Sequence, residues 1–304
     1  MSQLCTLTFT DAGGTQTVQN NIVRLVFRKD IYMAGTELSG TVIREGGVSG
    51  IVRVRLTAGG RMIHDGYLEY AKAEHRNGRT LMHFSSKGWS YLLTQNEPVP
   101  GLNYQVNLTA LAALNTPIPN VTYESGTLTV NYVSVKEHST IWDAVSAYAM
   151  KAYGTQPYII GTNEVSVTER TGADLMLESE DIISEGTVCD RRSILSKGYM
   201  ADYDGQYSVS LDNPEAAGTG IVREKYFAFD RQWLSSLTTG IQMRFDRTGR
   251  RSEMSFLTVR GYGGEEIFDN ISFMLYGTAL TRTIGGIELQ FEKQRVTAVY
   301  YTME

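Results

Sequence analysis

Apolar and polar residues alternate through the first part of the chain. Cys5, Leu7 and Phe9 alternate with threonines, Val23, Leu25 and Phe27 with Arg24 and Arg28, and Val52, Val54 and Leu56 with Arg53, Arg55 and Thr57. A period of two puts successive side chains on opposite faces, so each run predicts a strand with one dry and one wet face. Asp11-Ala12-Gly13-Gly14 reads as a turn. Asp65-Gly66 and Asn77-Gly78 read as hairpin turns, since both pairs tolerate positive φ. Closely spaced hairpin strands predict a small barrel or sandwich, a β-barrel-like domain over 1–87.

The period then changes. Gly88 to Leu93 reads as a short helical turn broken by Pro98 and Pro100, and Leu108, Leu111 and Leu114 as a short amphipathic helix ended by Asn115 and Pro117. Strand-like Leu128-Thr129-Val130 leads into the clearest helix. Ile141, Val145, Tyr148 and Ala152 form one apolar stripe. Ser139 and Thr140 are candidate N-caps, Asp143 suits the first turn, Lys151 the last, and Gly154 the stop. Ile141, Trp142 and Val145 are expected to be buried beneath it. Tyr158–Ile160 reads as a short buried strand, Asn163 as a turn, and Val165 and Val167 as the sheet resuming. Residues 88–175 therefore predict a small α/β domain around a central helix.

Strands resume after Thr187. Tyr199, Ala201 and Tyr203 alternate into Asp204-Gly205, and Tyr207, Val209 and Leu211 alternate out, which predicts a hairpin ended by Asp212-Asn213-Pro214. Trp233, Leu237, Ile241, Arg244, Phe245 and Thr248 fit a helical stripe, although Gly240 costs it about 1 kcal/mol against alanine. Met254 to Val259 reads as a strand, and Gly285-Gly286 as the joint between two strands. The second of these alternates Ile287, Leu289 and Phe291 with Glu288, Gln290 and Glu292. Residues 176–304 predict a second β-barrel-like domain carrying an inserted helix-containing subdomain. The fold class is α+β, predominantly β.

With 304 residues, 42% hydrophobic and 20% charged, the chain has the composition of a folded protein. A net charge of −5 gives no general sign of nucleic-acid binding. No apolar run approaches the ~20 residues of a membrane span, so no membrane anchor is expected, and MSQLCTLTFT does not read as a signal peptide. Cys5 and Cys189 are too few and too distant for a disulfide framework. The sequons at Asn107, Asn120 and Asn270 carry no meaning without secretion.

The candidate chemistry is thin. His64, His75 and His83 fall in consecutive predicted strands and could meet on a sheet, but their spacing, like that of His138, matches no metal motif. Asp202-Tyr203-Asp204-Gly205 begins like a calcium loop and lacks the later ligands, so a hairpin explains it. Gly261-Tyr262-Gly263-Gly264 has no lysine after it and reads as a loop. Cys189 beside Asp190 and Arg191 has no convincing base nearby. Arg244, Arg247, Arg250 and Arg251 cluster near a helix end, where charge matching to the dipole is the ordinary explanation and an acidic partner surface the other. No catalytic residue, cofactor site or metal site is expected, and the chain reads as a non-enzyme.

Several segments together resemble the baseplate hub proteins of contractile phage tails. Gly88-Trp89-Ser90-Tyr91-Leu92-Leu93-Thr94-Gln95-Asn96-Glu97 resembles the element after that family's first barrel. Thr140-Ile141-Trp142-Asp143-Ala144-Val145 is similar to a helix opening with Thr, an apolar residue, Trp and Asp. Arg191-Arg192-Ser193-Ile194, running into the Tyr199–Leu211 hairpin, is similar to the start of the second barrel. Asp212-Asn213-Pro214, Arg223 and Tyr226 resemble the connection that follows. The order of these segments along most of the chain carries the resemblance.

It implies two tube-protein-like barrels per subunit and a homotrimer that adapts the hexameric tail tube to a trimeric spike. A tape-measure protein, other baseplate proteins and passing DNA are the further partners implied. The location implied is the baseplate of a virion or of a phage-tail-like bacteriocin, made in a bacterial cytoplasm. Eighteen tyrosines against ten phenylalanines suit partly wet interfaces. The rival readings are a tail-tip carbohydrate- or receptor-binding β module, which calls for surface aromatic platforms, and a tail-associated hydrolase, which calls for a nucleophile–base pair.

Overall fold

The structure is a computed structural model and describes residues 5–44, 48–234, 236–249, 253–275, 277–292 and 295–303. The chain opens with strands β1 (Cys5–Asp11), β2 (Gln16–Gln19), β3 (Ile22–Asp30), β4 (Glu37–Ile43), β5 (Ile51–Ala58), β6 (Arg61–Arg76) and β7 (Arg79–Gly88). After a 3-10 helix, Trp89–Thr94, come β8 (Gly101–Val106), α1 (Leu108–Ala112), β9 (Thr122–Tyr123), β10 (Val130–Val135), α2 (Ile141–Tyr153), β11 (Tyr158–Ile160) and β12 (Glu164–Ser166). Then follow β13 (Asp174–Met176), β14 (Ile182–Cys189), β15 (Lys197–Met200), β16 (Val209–Asp212), β17 (Glu224–Phe227) and α3 (Leu237–Gly249). The chain closes with β18 (Glu253–Arg260), β19 (Asn270–Leu275), β20 (Thr278–Glu292) and β21 (Arg295–Met303). The fold is α+β and mostly β.

Two compact units result: Met1–Glu185 with Phe256–Glu304, and Gly186–Ser255. The first and last strand groups share one sheet, which among the described residues has 13 strands and runs β14-β18-β21-β20-β3-β4-β7-β6-β5-β1-β2, with β13 and β19 attached through β20. The link is β20. It pairs with β19 through Thr278–Thr283, then with β3 through Gly286–Glu292. Leu7, Phe9, Leu25, Phe27, Leu56, Met82, Leu289, Phe291 and Tyr300 lie in one core built from both ends of the chain.

Two glycine pairs expected at turns are not turns. Gly285 and Gly286 sit inside β20, at the irregularity where it changes partner, and a Cβ on Gly285 would lie 2.7 Å from Met303 Cγ. Asp65 and Gly66 lie inside β6, where the ladder passes from β5 to β7. A Cβ on Gly66 would collide with the Lys87 carbonyl, so this glycine serves a close backbone approach. The β5–β6 turn is instead Gly59-Gly60, with φ of 55° and 73°. Asn77-Gly78, with φ of 51° and 71°, does turn β6 into β7. Val23 and Val52, expected on dry faces, are 40% and 44% exposed near their strand starts.

The middle segment follows its local signals closely. Thr140 and Asp143 form a reciprocal capping box at the start of α2, and Gly154 closes it in the left-handed region. Ile141, Val145 and Tyr148 are buried with Leu93, Leu108, Leu111, Val133, Val135 and Val165 in a second core. Trp142 is only half-buried, packed against the margin of this core. β8 and β10 form an antiparallel pair, and β9, β12 and β11 a small three-stranded sheet.

Residues 186–255 have their own small core. Gly198, Met200, Val209, Leu211 and Phe227 on the β16-β15-β17 sheet face Ile241 and Phe245 of α3. Strands are already present before Thr187, in β13 and in β14 from Ile182, and the helix begins at Leu237, with Trp233 in a preceding 3-10 turn. Gly240 is tolerated because a Cβ there would press on Met200 and Trp233 at 3.0 Å each.

Candidate assembly interface

The register of the large sheet builds a broad polar face across β21, β20, β3, β4, β7 and β6. Leu25, Phe27, Leu38, Phe84 and Leu289 turn into the core, so their neighbours in sequence turn out. One row reads Val299, Glu288, Arg28, Glu37, Lys87. The next reads Thr297, Gln290, Val26, Ser39, Ser85, Tyr70, and a third Arg295, Glu292, Arg24, Thr41, His83, Lys72. No side chain in these rows is fully buried.

Charge alternates along the first row. Arg28 Nε donates to Glu288 Oε2 at 2.8 Å, Tyr91 donates to Glu37 Oε1 at 2.8 Å, and Lys87 Nζ lies 3.1 Å from Glu69 Oε1. The hydrogen bond to Glu288 raises the Arg28 pKa. Cross-strand pairs of opposite sign support a ladder where like charges would oppose it. The face therefore carries both signs without becoming strongly basic. Hydroxyls and amides fill its middle row.

Behind this face lies a buried polar network. His64 Nε2 is 2.8 Å from Ser86 Oγ, and its Nδ1 is 2.8 Å from Thr36 Oγ1. The pair has the composition of a nucleophile and base. However, the Ser86 hydroxyl donates to the Tyr67 carbonyl at 2.7 Å, so Ser86 accepts from His64 Nε2–H. His64 then has no lone pair facing Ser86. The third partner is a threonine, both groups are buried, and burial pushes the His64 pKa down to about 3. This arrangement fastens strands and does not activate a hydroxyl. Beside it, Arg53 grips Asp65 through two hydrogen bonds of 2.6 and 2.5 Å. Asn163 ties the middle segment to the sheet, donating to the Asp65 carbonyl at 2.9 Å and accepting from Ser90 N at 3.1 Å.

The other singled-out residues are scattered. His75 bonds Thr80 and His83 bonds Thr41, so the three strand histidines do not converge. His138 is exposed, 3.6 Å from Glu97. Asp143 caps α2. Asp202 accepts from Asp204 N, Gln206 N and the Ser208 hydroxyl, which uses its carboxylate to close the hairpin loop. Cys189 is exposed on β14. Arg244 bonds Asp230 at 2.9 Å and the Gly240 carbonyl; the Arg247 side chain, Arg250 and Arg251 lie outside the described residues. Among the described residues no group of three or more His, Cys, Asp or Glu is placed to hold a metal, and no helix is long and apolar enough to cross a membrane.

A second surface lies on the β16-β15-β17 sheet. The face opposite α3 carries Lys197, Tyr199, Ser210, Asp212, Glu224 and Tyr226. Tyr199 and Tyr226 stack with centroids 4.5 Å apart, and Tyr207 meets Tyr226 edge-on at 5.1 Å. Nothing in the sequence periodicity joined these rings, since Tyr226 lies on β17, outside the hairpin that carries Tyr199 and Tyr207.

No protein-family model matches the chain, and no curated protein matches it in sequence. Solved structures do match it in fold. A tail protein from Neisseria meningitidis MC58 superposes with a TM-score of 0.70 at 13% identity, over 99% of this chain and 97% of the other. The 43 kDa tail protein of prophage MuSo2 from Shewanella oneidensis gives 0.70 at 14%, over 98% of each chain. An Escherichia coli type VI secretion component, described as structurally similar to the T4 bacteriophage tail proteins gp27 and gp5, gives 0.55 at 8%, over 93% of this chain and 73% of the other. The chain has the fold of phage tail proteins.

Proposed function

We propose that the chain is a structural hub of a contractile tail baseplate, a trimeric adaptor between a hexameric tube and a trimeric spike that surrounds the central channel. One observation carries this reading: the polar, charge-alternating face across β21, β20, β3, β4, β7 and β6, on a chain with the fold of tail proteins along its whole length. A channel wall must let a tape-measure protein, and DNA in an infectious phage, pass without sticking. Dense Lys and Arg would hold DNA through counterion release, and an apolar wall would hold protein. A wall that mixes charges of both signs with hydroxyls does neither.

A closed ring of copies explains how so long a sheet avoids edge-to-edge aggregation. The particle is a virion or a phage-tail-like bacteriocin, and the chain works there without cofactor, metal or catalytic residue. Coexpression with the tube and spike proteins of the same tail tests the reading, with the mass of the purified complex as readout. Three copies of this chain beside three spike chains are expected. Failure to join either partner would overturn the reading.

A second reading rests on the exposed Tyr199–Tyr226–Tyr207 cluster, which would serve a tail-tip receptor-binding module. Binding of glycans lost on replacing Tyr226 by Ala would favour it.

A further inference from the structure

Opposite charge gathers beside two borders of the large sheet. The ladder from β6 to β5 ends at Tyr67, whereas the ladder to β7 continues to Arg76. Among the described residues, then, Leu68 to Arg76 is bonded on one side only. Glu69, Tyr70, Lys72, Ala73, His75 and Arg76 are exposed along it, as is Arg79 just past the turn. Of its two acids, Glu69 pairs with Lys87 at 3.1 Å, and Glu74 is half-buried, 3.9 Å from the His83 ring. Lys72, Arg76 and Arg79 remain as a basic edge.

At the far end of the strand order is β14, which among the described residues pairs only with β18. The segment leading into it, residues 171–185, runs through β13, which pairs with β19, and a 3-10 turn at Ser179–Asp181; it contains Asp174, Glu178, Glu180, Asp181 and Glu185 and no Lys, Arg or His. All five acids are exposed, and Ile183 is 51% exposed among them. The remaining sheet edge, β2, is Gln16-Thr17-Val18-Gln19, four residues long and uncharged.

Bare edges invite pairing, and soluble proteins usually blunt them with short strands or charges of one kind. Here one edge is basic and the segment leading into the other is acidic, so each repels its own kind and attracts the other. That is the signature of a heterologous, head-to-tail contact between identical chains. We propose that the Leu68–Arg76 edge of one copy docks against the acidic Asp174–Glu185 segment, which leads into edge strand β14, of the next. The joint deepens the ring reading and relies on it only for closure at three.

The test uses the full chain with charge reversals confined to exposed side chains, whose folding is checked by melting. One variant carries Lys72→Glu, Arg76→Glu and Arg79→Glu; a second carries Glu178→Lys, Glu180→Lys and Asp181→Lys; a third carries all six. Light scattering over a concentration series reads the association. Each single-edge variant should weaken it at least about tenfold, and the six-fold variant should recover most of the loss, the coupling expected of residues in contact. Association of the unaltered chain should also weaken with salt.

A second measurement does not depend on those variants. In a Cys189→Ser background, Lys72→Cys and Ile183→Cys chains are mixed and oxidised. A cross-linked dimer should form in the mixture and not from either chain alone. Association through these edges into open chains keeps the joint and removes the threefold closure. Trimers insensitive to both reversals, or an unaltered chain that stays monomeric at every concentration, overturn the joint.

Discussion

The ammonium of Lys29, on β3, lies 2.6 Å from the carboxylate of Glu266, 237 residues later, and both are largely buried. Lys29 also donates to the Gly161 carbonyl at 2.8 Å, so one side chain ties the first strands, the middle segment and the last strands together. Burial pushes the Lys29 pKa down, and Glu266 opposes that shift. Replacing Glu266 by Ala strands a buried charge and should cost about 3–5 kcal/mol in urea unfolding. The double variant Lys29→Met with Glu266→Leu should recover part of this, because an apolar pair needs no counter-charge. A Glu266→Ala protein that unfolds like its parent would show that the pair holds nothing.

Two glycines that look alike in sequence should behave differently. Gly78 has positive φ and open space around a Cβ, so Gly78→Ala should cost about 1 kcal/mol. Gly66 has no room beside the Lys87 backbone, so Gly66→Ala should cost more than about 4 kcal/mol or prevent folding. Equal midpoints for the two variants would contradict the β6 geometry.

His64 predicts a specific acid sensitivity. Its pKa falls from 6.5 to about 3 on folding, mainly through burial, so between those values the unfolded chain binds more protons. The stabilisation is complete above about pH 6.5, shrinks as pH falls, and is gone near pH 3, amounting to roughly 4–5 kcal/mol. Glu124 adds to the acid loss. Burial opposes its ionisation, but hydrogen bonds from Thr168, Val167 and Ser166 outweigh burial and lower its pKa. Unfolding midpoints of parent and His64→Gln proteins, measured across this range, should converge towards low pH. Parallel curves would contradict the neutral, buried imidazole.

How legible each part was in the sequence follows from how local its cause is. The α2 helix was legible because Thr140, Asp143, the apolar stripe and Gly154 act within a few residues of one another. Strand faces such as Leu25 and Phe27 were legible for the same reason. The partner change within β20 was not, since it depends on β3 lying more than two hundred residues away. Gly66 and Gly285 were misread as turns because a close approach leaves no trace in a dipeptide. The polar rows emerge only once six strands are in register, and the His64–Ser86–Thr36 network joins residues whose spacing means nothing along the chain.

The helix packing can be checked with one core substitution. Val145 is fully buried on α2, so Val145→Asp places an unpaired charge in the second core. A loss of several kcal/mol is expected, read as a lower melting temperature. An unchanged melt would mean that α2 does not pack as described.

The most direct test of the adaptor reading is a reconstruction of the intact tail at a resolution that traces this chain. Three copies in a ring are expected, with the rows led by Glu288–Arg28–Glu37, Gln290–Val26–Ser39 and Glu292–Arg24–Thr41 facing the central channel. Six copies per ring, or a position outside the channel, would contradict it.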